Sequence, residues 1–114
     1  MNEKLMELLE QTGYSAYEQG SFTSSKDYPK SFFTIWNFDS MYTEFYENNP
    51  MGIARYYWIN FYTLNPAVID ITLKKAIELL KENNWIISQP SIDISTSVKQ
   101  YSGKQITAIF IEEE

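Results

Sequence analysis

The sequence predicts an α+β domain: a four-stranded, mainly antiparallel sheet with two helices packed on one face, in the order α-β-β-α-β-β. Three observations carry this. Residues 53–64 form the longest run of β-branched and aromatic residues, residues 66–83 repeat apolar positions at helical spacing, and only that helix leaves room for a parallel crossover. At 114 residues the whole chain, 1–114, fits one domain, and 44% hydrophobic with 21% charged residues is a globular composition.

Residues 2–11 open with Asn2 as an N-cap and Glu3 in the first turn, and Leu5, Leu8 and Leu9 share one stripe; Gly13 stops this helix. From Tyr14 to Lys30 the chain is polar apart from Tyr14, Tyr17, Phe22 and Tyr28, which reads as a long loop or an irregular edge strand. Residues 31–38 are dense in Phe, Ile, Thr and Trp and predict the first strand. Asp39 to Gly52, with Asn49-Pro50 and Gly52, reads as a loop holding at most one helical turn.

The second strand, 53–64, puts Tyr57, Ile59 and Phe61 on one pleat face and Tyr56, Trp58 and Tyr62 on the other. Asn65-Pro66 then supplies an N-cap and a proline at the first helical position, and Ile69, Leu73, Ala76, Ile77 and Leu80 form the apolar stripe. Asn84 is suited to end that helix in the left-handed conformation. Residues 85–95 predict a third strand broken at Pro90, Ser102-Gly103 a turn, and residues 104–112 a fourth strand before the acidic end Glu112, Glu113, Glu114.

Composition narrows the chemistry. With no histidine and no cysteine, the usual neutral-pH base, the Ser-His and Cys-His pairs, disulfides and the commonest metal ligands are missing. Asp39, Glu44, Glu47, Asp70 and Asp93 are the conceivable members of a carboxylate pair, but polar-loop and helix-start positions explain them as well. The four glycines form no phosphate-cradling array, and the acidic set from Asp39 to Glu47 lacks the spacing of a calcium loop. No catalytic residue, cofactor or metal is expected.

A net charge of −6, with nine basic residues scattered along the chain, argues against specific nucleic-acid binding. No apolar run approaches the ~20 residues of a membrane span, and the first residues lack the pattern of a secretory signal, so neither a membrane nor export by that route is expected.

Aromatic residues make up 17% of the chain. Phe33, Ile35, Tyr57, Ile59 and Phe61 are the expected core under the helices. Trp36, Phe38, Tyr56, Trp58 and Tyr62 then point away from the helix layer and are candidate interface anchors, with Tyr42, Phe45 and Tyr46 as a second patch in the loop. A one-residue slip of register would exchange the two sets.

The run Tyr28-Pro29-Lys30-Ser31-Phe32-Phe33-Thr34-Ile35-Trp36-Asn37, the later Tyr- and Trp-rich strand and Asn65-Pro66 opening a long helix together resemble the tail-completion, or tail-terminator-like, proteins of long-tailed phages and prophages of Gram-positive bacteria. The resemblance spans most of the chain. It implies a virion structural protein that caps the tail tube and joins it to the head-side connector, as a homo-oligomeric ring, assembled in the host bacterial cytoplasm and carried in the virion tail. Glu112, Glu113 and Glu114 would then offer an acidic surface to the lumen that keeps DNA from sticking. A small phage-encoded inhibitor that docks on one host protein is the alternative.

Overall fold

A computed structural model of the chain describes residues 2–19, 29–44, 50–94 and 101–113. Their order is α1 (Asn2–Glu10), β1 (Ser15–Glu18), β2 (Ser31–Glu44), β3 (Pro50–Thr63), a 3-10 turn (Pro66–Val68), α2 (Ile69–Glu82), β4 (Ile86–Ile94) and β5 (Ser102–Glu113). The five strands lie side by side as β1-β2-β3-β5-β4. β1 runs parallel to β2, and every other pair is antiparallel.

The expected four-stranded sheet in α-β-β-α-β-β order is therefore corrected to five strands in the order α-β-β-β-α-β-β. The extra strand, Ser-Ala-Tyr-Glu, contains no β-branched residue. Tertiary contact makes it: its residues align with Phe32 to Ile35 of β2, Ala16 is buried, and the Gln19 amide extends the pairing to the Ile35 carbonyl at 2.8 Å. The expected loop from Asp39 to Gly52 is likewise corrected. β2 continues to Glu44 and β3 starts at Pro50, because a bulge at Phe38 absorbs one residue and lets the ladder resume at Asp39 opposite Tyr56. Ser102 and Gly103, expected to turn, instead open β5 opposite Thr63 and Tyr62.

α1 and α2 lie on the same face of the sheet, where Leu5, Leu9, Leu73, Ala76 and Leu80 join Phe33, Ile35, Tyr57, Ile59, Phe61 and Ile106 in one buried cluster. The expected core set is thus buried, and the register is the unslipped one. Gly13 ends α1 at φ 100°, a backbone region that favours glycine, and Asn84 follows α2 at φ 70°. Asn65 caps the turn before α2 by accepting from the Ala67 amide at 3.1 Å. That first turn is 3-10 rather than α, and the α-helix proper starts at Ile69.

β4 runs parallel to β3 with β5 between them, so α2 is the crossover of a split β-α-β unit. β4 pairs irregularly on either side of Gln89, next to Pro90, which cannot donate to the ladder.

A candidate interaction surface on the open face of the sheet

Strand alternation decides what the second face of the sheet presents. With Phe33, Ile35, Tyr57, Ile59 and Phe61 committed to the helices, their neighbours turn outward in rows that run across the strands. One row is Phe32, Tyr62 and Gly103; the next is Thr34, Asn60 and Gln105; then Trp36, Trp58 and Thr107; then Asp39, Tyr56 and Ile109.

The first row is an aromatic cluster. Phe32 lies 5.4 Å from Tyr62, 5.8 Å from Tyr101 and 6.3 Å from Tyr17, measured between ring centroids. The Tyr101 hydroxyl donates to the Pro29 carbonyl at 2.5 Å, tying the start of β5 to the approach to β2. Gly103 sits beneath the Tyr62 ring: a Cβ there would come within 2.9 Å of Tyr62 Cδ1.

The second row is polar. Gln105 Nε2 donates to Asn60 Oδ1 at 2.8 Å, and Asn60 Nδ2 donates to Thr34 Oγ1 at 3.3 Å, a hydrogen-bonded chain crossing three strands. Thr34 and Asn60 are buried, screened from water by the aromatic rows on either side. Their mutual bonds meet the cost of holding polar groups there.

The third and fourth rows form a second aromatic cluster. Phe38, released by the bulge, stacks on Trp58 at 4.4 Å and meets Tyr56 edge-on at 6.1 Å, while Trp36 packs edge-on against Trp58 at 5.2 Å. Trp58 and Tyr56 are half-buried by these contacts, yet Trp36 is 46% exposed. Around it lie Ile86 at 49%, Ile92 at 48% and Ile111 at 39%, all on the same face by register. An apolar area of this extent on a sheet with one helix layer is the molecule's most distinctive surface.

The interface candidates Trp36, Phe38, Tyr56, Trp58 and Tyr62 are thus all on the open face, divided between two clusters with the polar row between them. Tyr42 is not in a loop but in β2, opposite Ile53. Phe45 and Tyr46 lie outside the described residues, as does Glu114. Glu112 belongs to β5 rather than to a tail, and it accepts from Arg55 Nε at 2.8 Å on the helix side of the sheet. That hydrogen bond and the guanidinium charge hold the Glu112 carboxyl below its ordinary pKa.

Ile86, Ile92, Ile109, Ile111 and the Thr34-Asn60-Gln105 row were not singled out from the sequence. The signal was there in the alternation of Gln105, Thr107, Ile109 and Ile111, but reading it required knowing that β5 begins before Gly103.

Charge is sorted between the two faces. On α1 and α2, and at Glu18, Arg55, Asp93, Lys104 and Glu112, the charged side chains belong to the helix side. Among the described strand side chains only Asp39 carries charge on the open face, at its margin, where its Oδ1 accepts from the Ser40 amide at 2.8 Å.

The carboxylates considered for acid-base work take other roles. Asp70 accepts from Lys104 Nζ at 3.1 Å, and Asp93 is the ladder partner of that lysine, so an ammonium group is shared with the two exposed acids. Glu47 lies outside the described residues. A groove of about 650 Å³ on the helix side is lined by Asn2, Glu3, Glu18, Asn37, Arg55, Tyr57 and Glu112, and the Tyr57 hydroxyl donates there to Asn2 Oδ1. Among the described residues no group of three or more acids is placed to hold a metal ion, and no helix is long and apolar enough to cross a membrane. No known protein-family profile matches the sequence, and no curated protein matches it.

Proposed function

We propose that the protein works by assembly, with the open face of its sheet as the docking surface, and that its specific role is tail completion in a long-tailed phage or prophage. In that role it caps the tail tube and joins it to the head-side connector as a ring of identical subunits, assembled in the host cytoplasm and retained in the virion.

The observation that carries the assembly reading is the uncharged face bearing Trp36, Ile86, Ile92 and Ile111 exposed together. Tryptophan and tyrosine are the residue types that concentrate binding energy at protein contacts. The tail role rests on the sequence resemblance from Tyr28 to Asn37, through the aromatic strand and Asn65-Pro66.

The test is genetic and direct. Deleting the gene from a phage or prophage that encodes this sequence should leave filled heads and tails unjoined, and labelled protein should be found at the head-side end of completed tails. Joined, infectious particles in the deletion would overturn the tail role. Recovery of the protein only in a complex with one host protein would favour the inhibitor reading instead.

A further inference from the structure

The open face needs an occupant when the protein is free in solution, and its chemistry selects one. We propose that the free protein pairs with a second copy of itself, open face against open face, the two sheets packing as a sandwich. This rests on the reading of that face as a docking surface and not on the tail role.

Charge is the first argument. A partner fitted to this face must itself offer an area with almost no charged side chains, since a buried unpaired charge is costly. The chain as a whole carries −6, so most of its surface fails that requirement, but its own open face meets it. Self-repulsion between two acidic chains is also smallest in this arrangement. Packed sheets stand ~10 Å apart, and each helix layer lies beyond its own sheet, so the charged layers are separated by well over the Debye length of about 8–10 Å.

Area is the second. β2, β3, β5 and β4 contribute 14, 14, 12 and 9 residues. At about 3.3 Å per residue and about 4.8 Å per strand this is about 800 Å² of sheet per copy. Two copies together would cover about 1,600 Å², the size of a stable, specific interface, and three-quarters of that still clears the lower end of the range.

The polar row supplies the third. Among the described residues Gln105 Oε1 accepts no hydrogen bond, and each amide nitrogen of the row has given only one of its two hydrogens. A twofold axis passing near Gln105 sets row against row, where those groups can serve each other. That would fix the register of two otherwise apolar faces.

The pair is a storage form. A ring that meets the tail tube on one side and the connector on the other is polar, and a twofold contact kept by every subunit would make its two ends identical. The face must therefore be released when the ring forms, and pairing keeps it out of water until then.

Light scattering across a concentration series reads the pair directly, as twice the 13.4 kDa chain mass. Trp36→Glu and, as a second variant, Ile111→Glu should weaken it at least tenfold. Ile71→Glu, at a position 72% exposed on α2, should leave it unchanged. Circular dichroism establishes that each variant is folded. Because the chain has no cysteine, Gln105→Cys alone should form a disulfide-linked pair under mild oxidation and Lys75→Cys alone should not. A wild-type monomer at every concentration, a ring instead of a pair, or a pair indifferent to both open-face variants would overturn the proposal. A wild-type monomer whose Trp36→Glu variant fails to enter tails would remove the self-pairing and leave the docking surface standing. A pair that dissolves as expected, beside joined tails in the gene deletion, would remove the tail role alone.

Discussion

Replacing Gly103 by alanine should destabilise the protein even though nothing in the backbone forbids a side chain there. A Cβ at this position would lie 2.9 Å from Tyr62 Cδ1, 3.1 Å from Ile94 Cγ1 and 3.2 Å from the Phe61 carbonyl oxygen. The carbonyl belongs to the β3–β5 ladder and cannot retreat without breaking pairing, while the Tyr62 ring is held against Phe32. Overpacking of this kind costs about 1–3 kcal/mol, offset by the ~0.5–1 kcal/mol that alanine gains over glycine in a strand. The net expectation is a loss of about 1–2 kcal/mol, equivalent to roughly 4–8 °C in melting temperature for a chain of this size. Urea unfolding followed by tryptophan fluorescence measures it. The mechanism makes a sharper demand: in a Tyr62→Ala background the same Gly103→Ala change should cost less than about half as much, because the nearest obstacle is gone. A variant as stable as the parent, or an equal cost with and without the Tyr62 ring, would refute the account of the glycine as the floor under that ring.

Leu80, fully buried where α2 meets the sheet, should cost about 2–5 kcal/mol when truncated to alanine, measured by chemical denaturation with an unchanged slope. Asn65→Ala removes the side-chain acceptor of the Ala67 amide and should cost about 0.5–2 kcal/mol in the same assay, whereas Asn65→Asp should retain most of the cap. The lowered pKa of Glu112 means that its ion pair with Arg55 contributes above the carboxyl's ordinary pKa and is lost as pH falls through the lowered value. Arg55→Met should raise the Glu112 pKa back toward the ordinary range, read by an NMR titration of its side-chain carboxyl.

How far the fold was legible depended on whether local residues or distant partners decide each element. α2 was legible because its stripe, the Asn65 cap and Asn84 are local signals that agree. The core was legible because Phe33, Ile35, Tyr57, Ile59 and Phe61 alternate in a register that both strands share. β1 was not, since four residues with no β-branched side chain become a strand only by lying beside Phe32 to Ile35. The far halves of β2 and β3 were hidden for a related reason: Asp39, Ser40 and Glu44 are poor strand formers, and pairing with β3 holds them extended. Gly103 misled because a glycine that makes room for a ring looks, in sequence, like a glycine that makes a turn. Of the candidate interface, the aromatic anchors were legible from alternation, while the isoleucines of β4 and β5 needed the strand order.

The strand order also explains why the open face cannot be closed by the elements that build the core. A sheet needs a layer on each side or water on one, and both helices of this chain are spent on the same side, α1 beside the β1 edge and α2 as the crossover from β3 to β4. A sheet adapted to water alternates apolar residues inward with charged residues outward, as the helix surfaces here do with Glu7, Lys74, Lys75 and Glu78. The outward positions of β3 and β5 instead carry Tyr56, Trp58, Asn60 and Tyr62, and Gln105, Thr107, Ile109 and Ile111. Stacking Phe38 on Trp58 hides part of this surface, but it leaves Trp36 standing half in water beside Ile111 and Ile86. At about 25 cal/mol per Å², every 100 Å² of such surface removed from water favours association by about 2.5 kcal/mol before the entropic cost of binding. A chain with fifteen acids and nine bases at its disposal that places only one described charge on this face has the surface of a protein made to be covered.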